Sequence, residues 1–100
     1  MKREKIVTIK TDAQLAKAFK LNPGVVVEWE VRAVVNKKII ALVAEQKVTH
    51  AELAKLAKTS RPRITALLNE RREDISTDLM LRVLACLGYA PRISFKKLAG

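Results

Sequence analysis

Arg61 and Arg63 flank Pro62, immediately after Ser60 and ahead of Ile64-Thr65-Ala66. A guanidinium stays charged at neutral pH and carries five donors in a planar fork, which suits phosphate oxygens and the O6/N7 edge of guanine. Residues 55–72 hold six basic side chains, Lys55, Lys58, Arg61, Arg63, Arg71 and Arg72, against one acid, Glu70. The whole chain carries a net charge of +10 over 100 residues, with a pI near 10.2. Such an excess predicts a polyanionic partner, although charge alone is equally the mark of a solubilising surface. Residues 1–48 and 49–100 each hold ten basic and five acidic residues. It is therefore the local focus at 55–72, not a basic half, that points to a site.

Bond-making chemistry has little to stand on. His50 is the one histidine and Cys86 the one cysteine, so neither has a like partner at metal-ligand spacing. There is no glycine-rich phosphate loop and no Ser/His/Asp set that spacing supports. The expectation is a protein that is not an enzyme, with no catalytic residue, no metal and no cofactor. Glu73 and Asp74 most simply tether arginines. Cys86 lies in an apolar helical pattern and reads as a buried free thiol.

A side chain reads a ligand only when a rigid element presents it. Thr49 with Glu52 three residues on is a capping box, and Val48 can staple onto Leu53, which predicts a helix over 49–57. Ser60 caps a second helix over 60–69, with Pro62 in the first turn, where a missing N–H costs little. A link of two or three residues forces the pair to cross steeply. Leu53, Leu56 and Ala57, with Ile64, Leu67 and Leu68, are assigned to a shared core, and Ala54 to a close backbone approach. Pro62, Arg63, Thr65, Ala66 and Asn69 are left outside, with Arg61 on the flank. That face suits a major groove.

A long helix is predicted from Val25 to Gln46. Its expected inward stripe is Val27, Val31, Val34, Val35, Ile39, Leu42 and Val43, with Glu28, Arg32, Asn36 and Lys37 off it. The run VVVEWEV also has the composition of a strand. Trp29 reads as core or as a dimer contact. Ser76 caps a last helix that carries Leu79, Val83, Leu84 and Leu87 inward and stops at Gly88, with Ile75 and Met80 as a second staple. Residues 5–10 and 92–98 read as short strands, the latter with Ile93 and Phe95 on one side, and they can pair with each other or across a dimer. A short helix over 12–21 ends at Asn22-Pro23-Gly24.

The run THAELAKLAKTSRPRITALLNERREDISTDLMLRVLACLGYAPRISF resembles the helix-turn-helix domains of the XRE, or lambda-repressor-like, family. Glu52-Leu53-Ala54, Ser60, Ile64, Leu67-Leu68 and Asn69 carry the likeness, which spans about residues 33–96 and is nearest to an antitoxin subgroup of HigA type. The resemblance implies a mostly α fold, a lambda-repressor-like helical bundle, here with short terminal β-strands. It also implies dimers on palindromic double-stranded DNA operators. By position it assigns base reading to Arg61, Pro62, Arg63, Thr65 and Ala66. It assigns phosphate contacts to Thr49, His50, Ser60 and Asn69, and Arg71 and Arg72 can grip the flanking backbone. The chain departs from the family at His50, usually glutamine, and at Lys58 and Glu70, usually glycine. Arg61 in place of the usual glutamine favours guanine.

The expected organisation is an arm and short helix over 1–23, a DNA-binding domain over 24–90 and a strand over 91–100. The expected function is a sequence-specific transcriptional repressor, with an autoregulating antitoxin as its finer form. A rival is a protein-interaction module that neutralises a toxin partner through 5–10 and 12–21; another is a helix-turn-helix scaffold that no longer binds DNA. No apolar run is long enough to span a membrane, and the first ten residues lack a signal-peptide core, so the expected address is the cytoplasm, at the nucleoid.

Overall fold

In a computed structural model, residues 22–98 are described, and each helix among them begins on a side chain that accepts a backbone N–H. The helices are α1 Pro23–Gln46, α2 His50–Ala57, α3 Arg61–Leu68 and α4 Thr77–Cys86. Asn22 Oδ1 accepts from Val25 N at 3.4 Å, Thr49 Oγ1 from Glu52 N at 3.0 Å, Ser60 Oγ from Arg63 N at 3.3 Å and Ser76 Oγ from Leu79 N at 3.1 Å. The caps anticipated at Thr49, Ser60 and Ser76 are thus the ones the fold uses. Glu52 completes its capping box by accepting from Thr49 N at 3.0 Å.

Three of the four C-termini close by the same double hydrogen bond. Lys58, Glu70 and Gly88 take left-handed φ angles of 57°, 61° and 90°. At each, the amide of that residue and the next reach back to two carbonyls of the last turn: Lys55 and Ala54, Leu67 and Ala66, Ala85 and Leu84. This closure normally recruits glycine, because a Cβ in that region costs about 1–2 kcal/mol. Lys58 and Glu70 bear that strain in this chain, as does Lys47, left-handed at the end of α1.

The core joins all four helices. Val35, Ile39 and Leu42 of α1 meet Leu53, Ala54 and Ala57 of α2, Ile64 and Leu67 of α3, and Leu79, Met80, Val83 and Leu84 of α4. α2 packs on α3 and α4, and α1 closes over α4 and α3. The run from Val25 to Val31 is helical, not extended. The 3.6-residue period continues through Val35, Ile39 and Leu42, and burying that face outweighs the strand preference of valine.

The phase of the stripe on α1 differs from the expectation. Val27, Val31 and Val34 are 37%, 46% and 45% exposed, whereas Asn36 is fully buried and Arg32 half-buried. α1 is turned so that Asn36 donates to Leu67 O in the last turn of α3 and Arg32 donates to the Arg72 and Ile75 carbonyls of the loop that follows. Leu56 is also outside, at 59% exposed, and the smaller Ala54 takes its place in the core. Trp29 is half-exposed and borders an open groove of about 810 Å³ that Glu73 and Asp74 also line. Cys86 is half-buried rather than buried. Residues 92–98 form no strand, and Ile93 and Phe95 stand exposed. A strand must hand its N–H and C=O groups to a partner strand, and none lies among the described residues. The expected strand 5–10 and helix 12–21 lie outside the described residues.

Candidate nucleic-acid interface

Ile64 and Leu67 are 0% and 1% exposed, and this pins one side of α3 to the core. On an eight-residue helix that choice fixes the opposite side. Arg61, Pro62 and Arg63 stand exposed on its first turn, with Thr65 and Ala66 half-buried behind them and Thr65 against His50 of α2. Asn69, Glu70 and Arg71 continue the exposed edge past the helix end. Five residues assigned to base reading thus share one helix surface. Among the described residues no helix lies across it.

The turn between α2 and α3 sets the angle at which that surface is offered. Lys58 adopts a left-handed conformation and still closes α2 through its own amide and that of Thr59. Ser60 is extended, with φ −93° and ψ 154°, and redirects the chain into α3. The Ser60 hydroxyl is engaged by Arg63 N, and Asn69 caps the other end through its own amide to Thr65 O and Ala66 O, both at 3.1 Å.

His50 opens α2, and its Nδ1 lies 2.8 Å from Thr65 Oγ1, a direct link between the start of one helix and the middle of the next. Thr49 gives both its hydroxyl and its amide to the capping box. Those bonds, first the Thr49 backbone N–H and then its hydroxyl, hold the Glu52 carboxyl below its ordinary pKa. Glu52 therefore keeps its negative charge at the positive end of α2.

Arg71 and Arg72 part company. Arg71 is exposed, whereas Arg72 is half-buried and donates through Nη1 to Asn36 Oδ1 at 2.7 Å. Asn36 in turn donates through Nδ2 to Leu67 O at 2.9 Å, the last turn of α3. Arg32 donates to Arg72 O at 2.6 Å, to Ile75 O, and to Thr77 Oγ1 at 3.0 Å. These polar contacts tie α1 to the end of α3 and to the loop leading into α4, and so fix how α3 projects. The apolar stripe expected on α1 leaves Arg32 and Asn36 off it, yet both turn inward. A signal was present: spaced by four residues, they lie on the same helical face as Ile39 and Val43.

Among the described residues no group of three His, Cys, Asp or Glu side chains is placed to hold a metal, and no helix is long and apolar enough to cross a membrane. No curated protein matches the chain, and no solved structure does. A family model described as a helix-turn-helix domain matches residues 24–96, which takes in α1 to α4 and the tail beyond. With two capped short helices crossing through a three-residue turn and the second exposing its arginines, the chain belongs to the helix-turn-helix domain family.

Proposed function

We propose that the protein is a sequence-specific DNA-binding repressor of the XRE, lambda-repressor-like kind, which acts at the nucleoid as a dimer on a palindromic operator. The observation that carries this reading is the outward face of α3. It presents guanidinium groups and short polar side chains with no large apolar group among them. In this reading Arg61, Pro62, Arg63, Thr65 and Ala66 meet base edges. His50, Asn69 and Arg71 meet phosphates, Ser60 and Thr49 shape the two helix starts, and Arg72 braces the site from within. Counterion release dominates affinity, so six to ten phosphate contacts per dimer give a fall of about 10³–10⁵-fold between 50 and 200 mM salt.

The test is Arg63→Ala, compared on a selected operator and on random duplex. A loss of about 1–3 kcal/mol on the operator alone, with relaxed choice at one base pair, supports base reading. Equal losses on both DNAs remove it.

A second copy has a surface to use. Val27, Val31 and Val34 follow the four-then-three spacing of a helix–helix seam and lie half-exposed on α1. An antiparallel mate that sets Val31 against the mate's Val34 buries the centre of this seam. The seam lies nearly opposite Arg32 and Asn36 on α1, leaving each α3 facing outward. Sedimentation of Val31→Asp reads this directly: a dimer that persists unchanged excludes the seam.

The finer reading, an autoregulating antitoxin of HigA type, assigns a toxin partner to residues 1–23. Deleting them should abolish partner capture and spare DNA binding; loss of both together, in a folded protein, counts against that division.

A further inference from the structure

Thr65 stands on the reading face of α3, and its hydroxyl has one proton and two lone pairs, so it can present either polarity to a base. What it presents depends on where its proton goes. The neighbour that decides is His50 Nδ1, 2.8 Å away across the α2–α3 crossing. His50 is itself held in place: it is the first residue of α2, directly after the Thr49 that the capping box locks to Glu52.

We propose that His50 is a positioning residue for base choice, setting through its Nδ1 proton whether Thr65 reads as acceptor or as donor. With Nδ1 bare, the Thr65 O–H donates to the ring and the oxygen turns lone pairs to the groove. It then fits the N6 amino group of adenine or the N4 amino group of cytosine. With Nδ1 protonated, the ring donates to Oγ1 and the hydroxyl proton points outward. It then fits guanine O6 or N7, adenine N7 or thymine O4. The imidazole thus selects between donor and acceptor groups on the base edges without touching either. Glutamine, the family's usual residue at this place, carries both a donor and an acceptor in one amide and can present either of them. His50 in a single tautomer commits to one.

This inference rests on the DNA-reading proposal and is tested beside it. Wild type, His50→Phe and His50→Lys select from a random duplex library, and the base distribution at each position is read by sequencing. Phenylalanine offers neither donor nor acceptor, so the Thr65 hydroxyl is free to rotate. Preference at one base pair should fall about fivefold, the worth of one net hydrogen bond, with the other positions unchanged. Lysine only donates, so the Thr65 proton is forced outward. That base pair should shift toward guanine or thymine, the bases that only the outward proton fits. The same substitutions are then repeated on Thr65→Val. If His50 acts through the hydroxyl, neither His50 variant changes base choice in that background. Circular dichroism confirms that each variant is folded. Unchanged base distributions in both His50 variants, or equal effects with and without the Thr65 hydroxyl, overturn the positioning role and leave DNA reading intact. If wild type selects no sequence at all, DNA reading fails and the positioning role falls with it.

Discussion

Two adjacent arginines give the sharpest test of how this site is held. Arg71→Ala removes an exposed charge, whereas Arg72→Ala removes the partner of a fully buried amide. In the second variant Asn36 Oδ1 loses the guanidinium that lies 2.7 Å away and stays shielded from bulk water. An unsatisfied buried acceptor costs about 1–3 kcal/mol. For a domain near 100 residues each kcal/mol shifts the midpoint by about 4–8 °C, so Arg72→Ala should melt roughly 4–24 °C below wild type. Arg71→Ala should stay within about 0.5 kcal/mol of wild type, as surface substitutions do. DNA binding should separate them in the other direction. Losing one phosphate contact per chain lowers the salt slope by about 0.9 for each Arg71 removed. Thermal unfolding by circular dichroism, and binding titrations across salt well below both midpoints, supply the two readings. The pairing is checked by a cycle with Asn36→Ala: the double variant should lose about 0.5–3 kcal/mol less than the sum of the singles. Equal melting temperatures for the two arginine variants, or a strictly additive cycle, would show that the Arg72–Asn36 contact does not brace α3.

Other outcomes follow from the helix ends. Glu70→Gly relieves the left-handed glutamate and removes an acid from the negative end of α3. Set against the extra freedom of glycine in the unfolded chain, the net gain should be about 0.5–1.5 kcal/mol by urea titration, while Glu70→Ala should gain nothing from the backbone. Lys58→Gly should gain less, because the same backbone relief is offset by losing a cation at the negative end of α2. Thr49→Ala should cost about 1 kcal/mol near neutral pH. Because Glu52 has a lowered pKa when folded, its contribution is present above the ordinary glutamate pKa and is lost as pH falls through the lowered value. The gap between wild type and Thr49→Ala, followed by unfolding at a series of pH values, should therefore narrow on the acid side of that window.

Much of the candidate site was legible before any coordinates, because capping is local chemistry. Thr49, Ser60 and Ser76 each accept an amide three residues ahead, and nothing remote is needed to recognise that. The exposure of Arg61 and Arg63 follows from burying Ile64 and Leu67 on so short a helix. The phase of α1 was not legible in the same way. A valine-rich helix has apolar residues on several faces, and intrinsic hydrophobicity does not rank Val31 against Val35. Nor does it say which carbonyls Arg32 and Asn36 reach, some forty and thirty residues away in sequence. The same holds for Leu56, displaced by Ala54 where two backbones converge.

Sequence alone, then, determined the boundaries of the short helices, the polarity of their ends and which side of α3 carries charge, because these depend on neighbours within one turn. Only the tertiary structure decided how α1 is rotated, that Arg72 braces the site while Arg71 faces solvent, and that an imidazole and a hydroxyl from different helices come within 2.8 Å. Those outcomes rest on which buried carbonyls need donors once the helices pack, and that demand does not exist until the fold has formed.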